Sequence, residues 1–161
     1  MWFSVNPSDL SYADSSPHRI ANVVTIAAPP ERVFDLFATG EAQDEWFQDF
    51  VACRWTSPEP RAAGATREIE LKMLRVKERF LAWERGRRLT FSIDAITLPI
   101  VQQMMEDMRF EPIDGGNTRL VWHVHYTPSA FMRPVHPVAR AIFGRMFQRS
   151  AEGLRRYAES S

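Results

Sequence analysis

The sequence predicts an α+β domain: one antiparallel sheet of about seven strands, two short helices after the first strand, and a long C-terminal helix laid across the sheet. Three observations carry this reading. Apolar and polar residues alternate from Val51 to Tyr126, with turn punctuation at SPEPRAAG, ERGRR and DGGN. A proline-led apolar cluster at helical spacing follows the first β-branched run, and after Ser129 apolar residues recur at steps of three and four.

Each element has a local cause. Residues 1–19 are rich in Ser, Pro and Asp and read as a loosely ordered arm, with Trp2, Phe3 and Tyr12 available to pin it to the surface or to a second subunit. The folded domain then runs over residues 20–161. In HRIANVVTIAA, β-branched residues mark a strand ending at Ala27. PPERVFDLFA begins with two prolines and an acid and places Val33, Phe34, Leu36 and Phe37 at helical spacing, and Gly40 stops the helix. EAQDEWFQDF reads as a second short helix carrying Trp46, Phe47 and Phe50.

The strands follow as a meander. In TREIELKM, Ile69, Leu71 and Met73 alternate with Glu68, Glu70 and Lys72; in RRLTFSI, Leu89, Phe91 and Ile93 alternate with Arg88, Thr90 and Ser92. In RLVWHVHY, Leu120, Trp122, Val124 and Tyr126 form one face and Arg119, Val121, His123 and His125 the other. One-sided sheets need a cover, and the last segment supplies it with Phe131, Val135, Val138, Ile142, Met146 or Phe147, Ser150 and Leu154. Pro134 and Pro137 confine the continuous helix to the part after them, about twenty residues and roughly 30 Å long.

Composition bounds the function. The 161 residues carry 20 basic and 20 acidic side chains, which gives no net electrostatic reason to expect nucleic acid. The single cysteine, Cys53, excludes an internal disulfide and offers no zinc-ligand spacing, which fits a reducing compartment. The first twenty residues lack a basic start and an apolar run, so neither a secretory signal nor stable membrane insertion is expected, and cytoplasm is the default location. No glycine-rich phosphate loop and no paired Ser or Cys nucleophile stands out, and no cofactor is implied.

The stretch MMEDMRF poses the functional question. As a strand it puts Met104, Glu106, Met108 and Phe110 on one face, so a carboxylate sits in an apolar row. RVKERFLAW repeats the pattern with Val76, Glu78, Phe80 and Ala82. Such an acid is either turned out by a strand end or bulge, or it lines a cavity, commonly with a raised pKa; two of them favour a cavity wall. A three-residue hairpin loop at Gly115-Gly116-Asn117 would set Phe110 opposite Trp122, Met108 opposite Val124 and Glu106 opposite Tyr126, a carboxyl and a phenol with Cβ atoms about 5 Å apart. The same register sets Asp107 beside His125 and Arg109 beside His123, on the outer face with Arg119. Adjacent cations and the lack of a third ligand argue against a metal there. His136, between two prolines, is either a loop residue or part of the cavity rim. The arginines of the last helix read as a solvated face, because its apolar stripe is needed against the sheet.

APPERVFDLFA, EWF, AGATREIEL with Gly64 opening a strand, WERGRRLTF and GGNTRLVWHVHY, in this order, resemble the START-like (helix-grip) superfamily and, within it, the polyketide cyclase/dehydrase-like (SRPBCC) family, over about Ile20 to Ala158. Glu84-Arg85-Gly86 departs from the family's usual acid-Pro-Pro turn, and the arm is unmatched. The resemblance implies a curved sheet gripping the long helix across its concave face, with an apolar cavity between them for a lipid, polyketide or aromatic molecule. Side chains expected to line it are Phe34, Phe37, Trp46 and Phe50 from the short helices, and Leu71, Met73, Glu78, Phe80, Phe91 and Ile93 from the middle strands. The hairpin adds Met104, Glu106, Met108, Trp122, Val124 and Tyr126, and the last helix Ile142 and Met146.

Two functions compete on this reading. One is binding or transfer of a small hydrophobic ligand in a cavity of several hundred Å³, with Glu106, Tyr126 and Glu78 orienting a polar end. The other is a cofactor-independent cyclase or dehydratase in which Glu106 removes a proton beside a carbonyl and Tyr126 donates a hydrogen bond to the enolate. A scaffold role, with the outer sheet face or the arm forming a homodimer contact, completes the set.

Overall fold

A computed structural model describes residues Met1–Ser161. In chain order the elements are β1 (Phe3–Ser4), α1 (Tyr12–Ser15), β2 (His18–Ile26), α2 (Pro30–Thr39), α3 (Gln43–Trp46), β3 (Phe50–Trp55), β4 (Thr66–Leu71), β5 (Arg75–Glu84), β6 (Arg88–Ile96), β7 (Val101–Ile113), β8 (Asn117–Pro128) and α4 (His136–Ser160). The antiparallel sheet runs β2-β8-β7-β6-β5-β4-β3, and β1 pairs with β6 outside that path. This is the expected α+β helix-grip arrangement, with an eighth short strand contributed by the arm. No helix is long and apolar enough to cross a membrane.

Local chemistry sets the boundaries. Pro30 opens α2, where its missing N–H costs nothing, and Gly40 closes it at φ 73°, a left-handed conformation that only glycine adopts freely. The buried face of α2, Val33, Phe34, Leu36, Phe37 and Ala38, packs over one end of the sheet. α3 is a single turn, and the chain is already extended at Phe47. α4 starts at His136 and takes Pro137 into its first turn, so it runs 25 residues, about 37 Å. Its second half buries Met146, Phe147, Ser150, Ala151, Leu154 and Ala158. Gly153 lets α4 press on α3, because a Cβ there would overlap the Trp46 carbonyl oxygen. Ser150 Oγ accepts from the Gln48 amide at 3.0 Å and donates to the Met146 carbonyl at 2.8 Å, tying the α3–β3 loop to the helix.

The arm is not loose. Phe3 and Ser4 pair with Ile96 and Ala95, the Val5 amide donates to the Asp94 carbonyl at 3.1 Å, and the Ser8 amide donates to Ser92 Oγ at 2.9 Å. Tyr12 is buried, with its hydroxyl 2.7 Å from Thr127 Oγ1, and Trp2 lies under Arg75 and Lys77. Low hydrophobicity does not leave the arm unattached, because Ser8 Oγ accepts from Gln103 Nε2 at 3.2 Å and Ser16 Oγ lies 2.9 Å from His125 Nδ1 on the outer sheet face. That face carries a buried polar layer in which Asp107 accepts from Arg88 Nε at 2.9 Å and from Thr90 Oγ1 at 2.7 Å.

Candidate functional site

Between the sheet and α4 lies a cavity of about 110 Å³ lined mostly by apolar side chains. Strand parity explains its wall. Arg67, Ile69 and Leu71 of β4, Val76 and Glu78 of β5, Phe91 and Ile93 of β6, Met104 and Glu106 of β7, and Trp122, Val124 and Tyr126 of β8 all point inward. Phe37, Trp46 and Met146 close it from the helices. The cavity is smaller than the several hundred Å³ expected, because the rings of Trp46, Phe47, Trp122 and Phe147 pack edge to face or tilted along it at separations of 5.6 to 6.2 Å.

Six expected lining residues do not reach it. Phe34 packs edge-on against Phe110 and Trp83, and Phe80 against Trp83 and Phe91, in the part of the core that α2 fills. Met108 is fully buried opposite Leu89 and Trp122. Phe50 sits half-buried at a register shift where β3 begins. Met73 falls in the turn after β4 ends at Leu71 and is 57% exposed. Ile142 is 56% exposed, because the inward stripe of this segment is Met132, His136, Ala139, Arg140, Phe143 and Met146, rotated by one residue from the stripe the apolar spacing suggested.

The two carboxyls are inward and buried, but their partners differ from expectation. The β7–β8 loop is Asp114-Gly115-Gly116, with both glycines at positive φ (81° and 75°), so Ile113 faces Asn117 and every pairing moves by two residues. Phe110 therefore faces Leu120, Met108 faces Trp122, Glu106 faces Val124, and Tyr126 faces Met104; on the outer side Asp107 faces His123, Arg109 faces Val121, and Met105 faces His125. A two-residue slip preserves which side each residue faces while exchanging its neighbour. Glu106 Oε1 accepts from the Trp122 indole N–H at 2.9 Å, and Tyr126 is not its partner. Burial first, then the charge of Glu78, pushes Glu106 up to about 8, against the Trp122 hydrogen bond. At neutral pH it is a protonated acid and a hydrogen-bond donor.

Glu78 is directly opposite Arg67 in the β4–β5 pair, and its Oε1 accepts from Arg67 Nε at 2.9 Å. Arg67 also donates to the Phe37 carbonyl at 3.0 Å and lies against the Phe80 ring at 4.9 Å. Both side chains of the pair are buried. Burial raises the Glu78 carboxyl, and the guanidinium opposes that rise. Arg67 was legible: it shares parity with Ile69 and Leu71 in TREIEL, and a cation among inward residues calls for an inward acid.

At the other end of the cavity the Tyr126 hydroxyl is 2.8 Å from His136 Nε2 and accepts from Arg140 Nη1 at 3.2 Å. His136, read from sequence as loop or rim, is the first residue of α4 and lines the mouth. No group of three or more His, Cys, Asp or Glu side chains is placed to hold a metal ion. His125 is buried on the outer face, with Nδ1 2.9 Å from Ser16 Oγ.

Comparison with known proteins agrees with this geometry. The model of a family described as polyketide cyclase / dehydrase and lipid transport matches residues 17–159. An uncharacterized protein of Mycobacterium tuberculosis is 32% identical over 152 residues, covering 94% of this chain and 90% of the relative. A START superfamily protein from Mycobacterium smegmatis superposes with a TM-score of 0.73 at 12% identity, over 89% of this chain and 98% of that one. The Zhui aromatase/cyclase from Streptomyces sp. R1128 superposes at 0.67 and 17% identity, over 87% and 95%. At such identities the two structures speak for the fold, and the family match speaks for lineage. With its sheet, its clasped helix and its apolar interior, the chain belongs to the polyketide cyclase/dehydrase and lipid transport family, a START-like SRPBCC group.

Proposed function

We propose that this chain binds and carries one small hydrophobic molecule between the sheet and α4. The observation that carries the reading is an apolar cavity kept open around a buried carboxyl, Glu106, instead of being packed dry. Protein interiors are close-packed, and an acid raised to about 8 by burial is tolerated where a ligand or water receives its hydrogen bond. The lining supplies affinity by apolar burial at roughly 25 cal/mol per Å², and Glu106 supplies one directional contact to a carbonyl or hydroxyl oxygen. The cavity suits a compact ring or a short chain, with the rest of a longer molecule lying in the mouth beside Met132 and Phe143.

The geometry gives the cyclase reading less support. Glu106 and Tyr126 do not form an acid–base pair, since the indole of Trp122 holds the one and His136 with Arg140 hold the other. With its carboxyl raised to about 8, Glu106 is also mostly protonated at neutral pH, so the base form that enolisation needs is the minor one.

Native mass spectrometry of freshly purified protein tests the proposal. A retained small molecule, lost from a Val124→Trp variant that fills the cavity, is the expected result. A wild-type spectrum at the bare chain mass, with no uptake of added hydrophobic probes in fluorescence titration, would sink it. Conversion of a poly-β-ketone mimic, abolished by Glu106→Gln, would replace it with the enzymatic reading.

A further inference from the structure

Just outside the cavity mouth lies a second pocket of about 190 Å³, walled by Pro17, His18, Thr127, Pro128, Arg133 and His136. It shares Pro128 and His136 with the apolar cavity, so the two spaces adjoin. The contrast between them is chemical: the inner lining is mostly apolar, whereas the outer walls hold an arginine and two histidines and no carboxylate.

The positive charge there is uncompensated. Arg140 Nη1 donates to the Tyr126 hydroxyl at 3.2 Å and Nη2 to the Arg19 carbonyl at 2.8 Å, both neutral acceptors. Neither Arg133 nor Arg140 forms an ion pair, although Arg32, Arg85 and Arg119 elsewhere on the surface each hold a carboxylate at 2.8 Å. The His18 and His136 rings lie 4.3 Å apart, and His18 stacks on Tyr126 at 5.4 Å. Burial, and then the charges of His136 and Arg140, hold His18 below its ordinary value, which reports the same positive field. The first turn of α4 carries no acid, so nothing there offsets the positive end of the helix dipole.

The deep end offers a charged head no free counter-charge. Glu106 is protonated and the Arg67 guanidinium is already paired with Glu78, so an anion placed there would lose its hydration without a partner. A molecule with one charged end therefore has one favourable orientation: charge at the mouth, apolar body inward. Arginine is suited to the head, because its planar fork donates two parallel hydrogen bonds to a carboxylate or phosphate. From Tyr126 to the Val124–Glu106 pair is one two-residue step along the strand, about 7 Å, so an oxygen that far from the head would meet the Glu106 proton.

We infer that the outer pocket, with Arg133, His136 and His18, and Arg140 at the adjoining cavity mouth, seats the anionic head, carboxylate or phosphate, of an amphipathic molecule whose apolar body enters the cavity. This rests on the carrier reading and adds the class of ligand. Isothermal titration at pH 7 with octanoate, octyl phosphate, octan-1-ol and inorganic phosphate tests it on the wild type and on an Arg133→Gln/Arg140→Gln double variant. The expected result is that one of the two acids binds at least about tenfold tighter than octanol, and that the gap narrows to under about threefold in the double variant. The octanol arm reports whether each variant keeps its cavity, and Arg133→Gln alone, at an exposed side chain, serves if the double variant does not. Octanol binding as well as both acids, or an acid preference that survives loss of both arginines, overturns the head-group seat and leaves the carrier reading standing. Inorganic phosphate binding as tightly as octyl phosphate also overturns it, because the anion would then need no apolar body. Failure of every amphiphile to bind overturns both.

Discussion

Replacing Glu106 by Gln should make the protein more stable at neutral pH, and the gain should depend on pH in a defined way. The side chain is buried and its carboxyl moves from 4.5 to about 8 on folding. Below pH 4.5 it is protonated in both folded and unfolded chains and costs nothing. As pH rises, the unfolded chain releases the proton while the folded chain keeps it, so stability falls until the folded group also ionises near pH 8. At 1.36 kcal/mol per pKa unit the full penalty is about 5 kcal/mol, and about 3 kcal/mol of it is in place at pH 7. Gln keeps an oxygen for the Trp122 indole and cannot ionise, so it escapes the penalty. For a domain of this size the difference at pH 7 corresponds to a Tm gap of about 6–12 °C. These are upper figures, since water entering through the mouth solvates the carboxylate. Urea unfolding of both proteins at pH 5, 7 and 9 is the assay, read as the difference between the two curves so that groups common to both cancel. Parallel curves across that range would refute the assignment of Glu106 as a buried, protonated acid.

Other consequences are equally open to measurement. Arg67→Met should destabilise by about 3–5 kcal/mol in denaturant unfolding, because it strands Glu78 beside Glu106, whereas Arg67→Met/Glu78→Leu should recover most of that loss; equal losses in both variants would show that the pair is not what the single change breaks. Deleting residues 1–16 should cost about 3–5 kcal/mol by uncovering the sheet face under Val5 and Tyr12, and an unchanged urea midpoint would mean that the arm contributes nothing to the fold. Gly153→Ala should lower stability by about 1–3 kcal/mol even though alanine is the better helix former, since its methyl group must displace the Trp46 backbone; a rise in Tm would contradict that close approach.

Much of this arrangement was legible in the sequence, because side-chain direction follows from alternation alone. Met104, Glu106, Trp122, Val124 and Tyr126 face inward as their spacing requires. What alternation does not set is which residues stand opposite, and that depended on a loop with two adjacent glycines, either of which could take the left-handed position. The partner of Glu106 was misassigned for that reason alone. On α4 the difficulty was different. Two neighbouring stripes, Phe131-Val135-Val138-Ile142 and Met132-His136-Ala139-Phe143, share the helical period, and the more apolar of the two faces out. The inward stripe is hidden from apolar spacing by its own polar members, His136 and Arg140. Phe80 and Met108 face the interior as parity requires, but parity reports side and not depth along the strand, and α2 with Phe34 fills that stretch of the interior.

The uneven fastening of α4 carries a mechanical consequence. From Met146 onward the helix is riveted to α3 and the sheet, whereas nearer its start the outward side chains of Val138 and Ile142 stand in solvent. It behaves as a beam clamped at one end, with the unclamped end hanging over the hole. Deflecting that end breaks a few contacts around Tyr126 and Arg140 and none of those made by Phe147 or Leu154. Movement of the helix start would thereby leave the core intact, and backbone amides of residues 138–143 should exchange with deuterium well before those of 150–158.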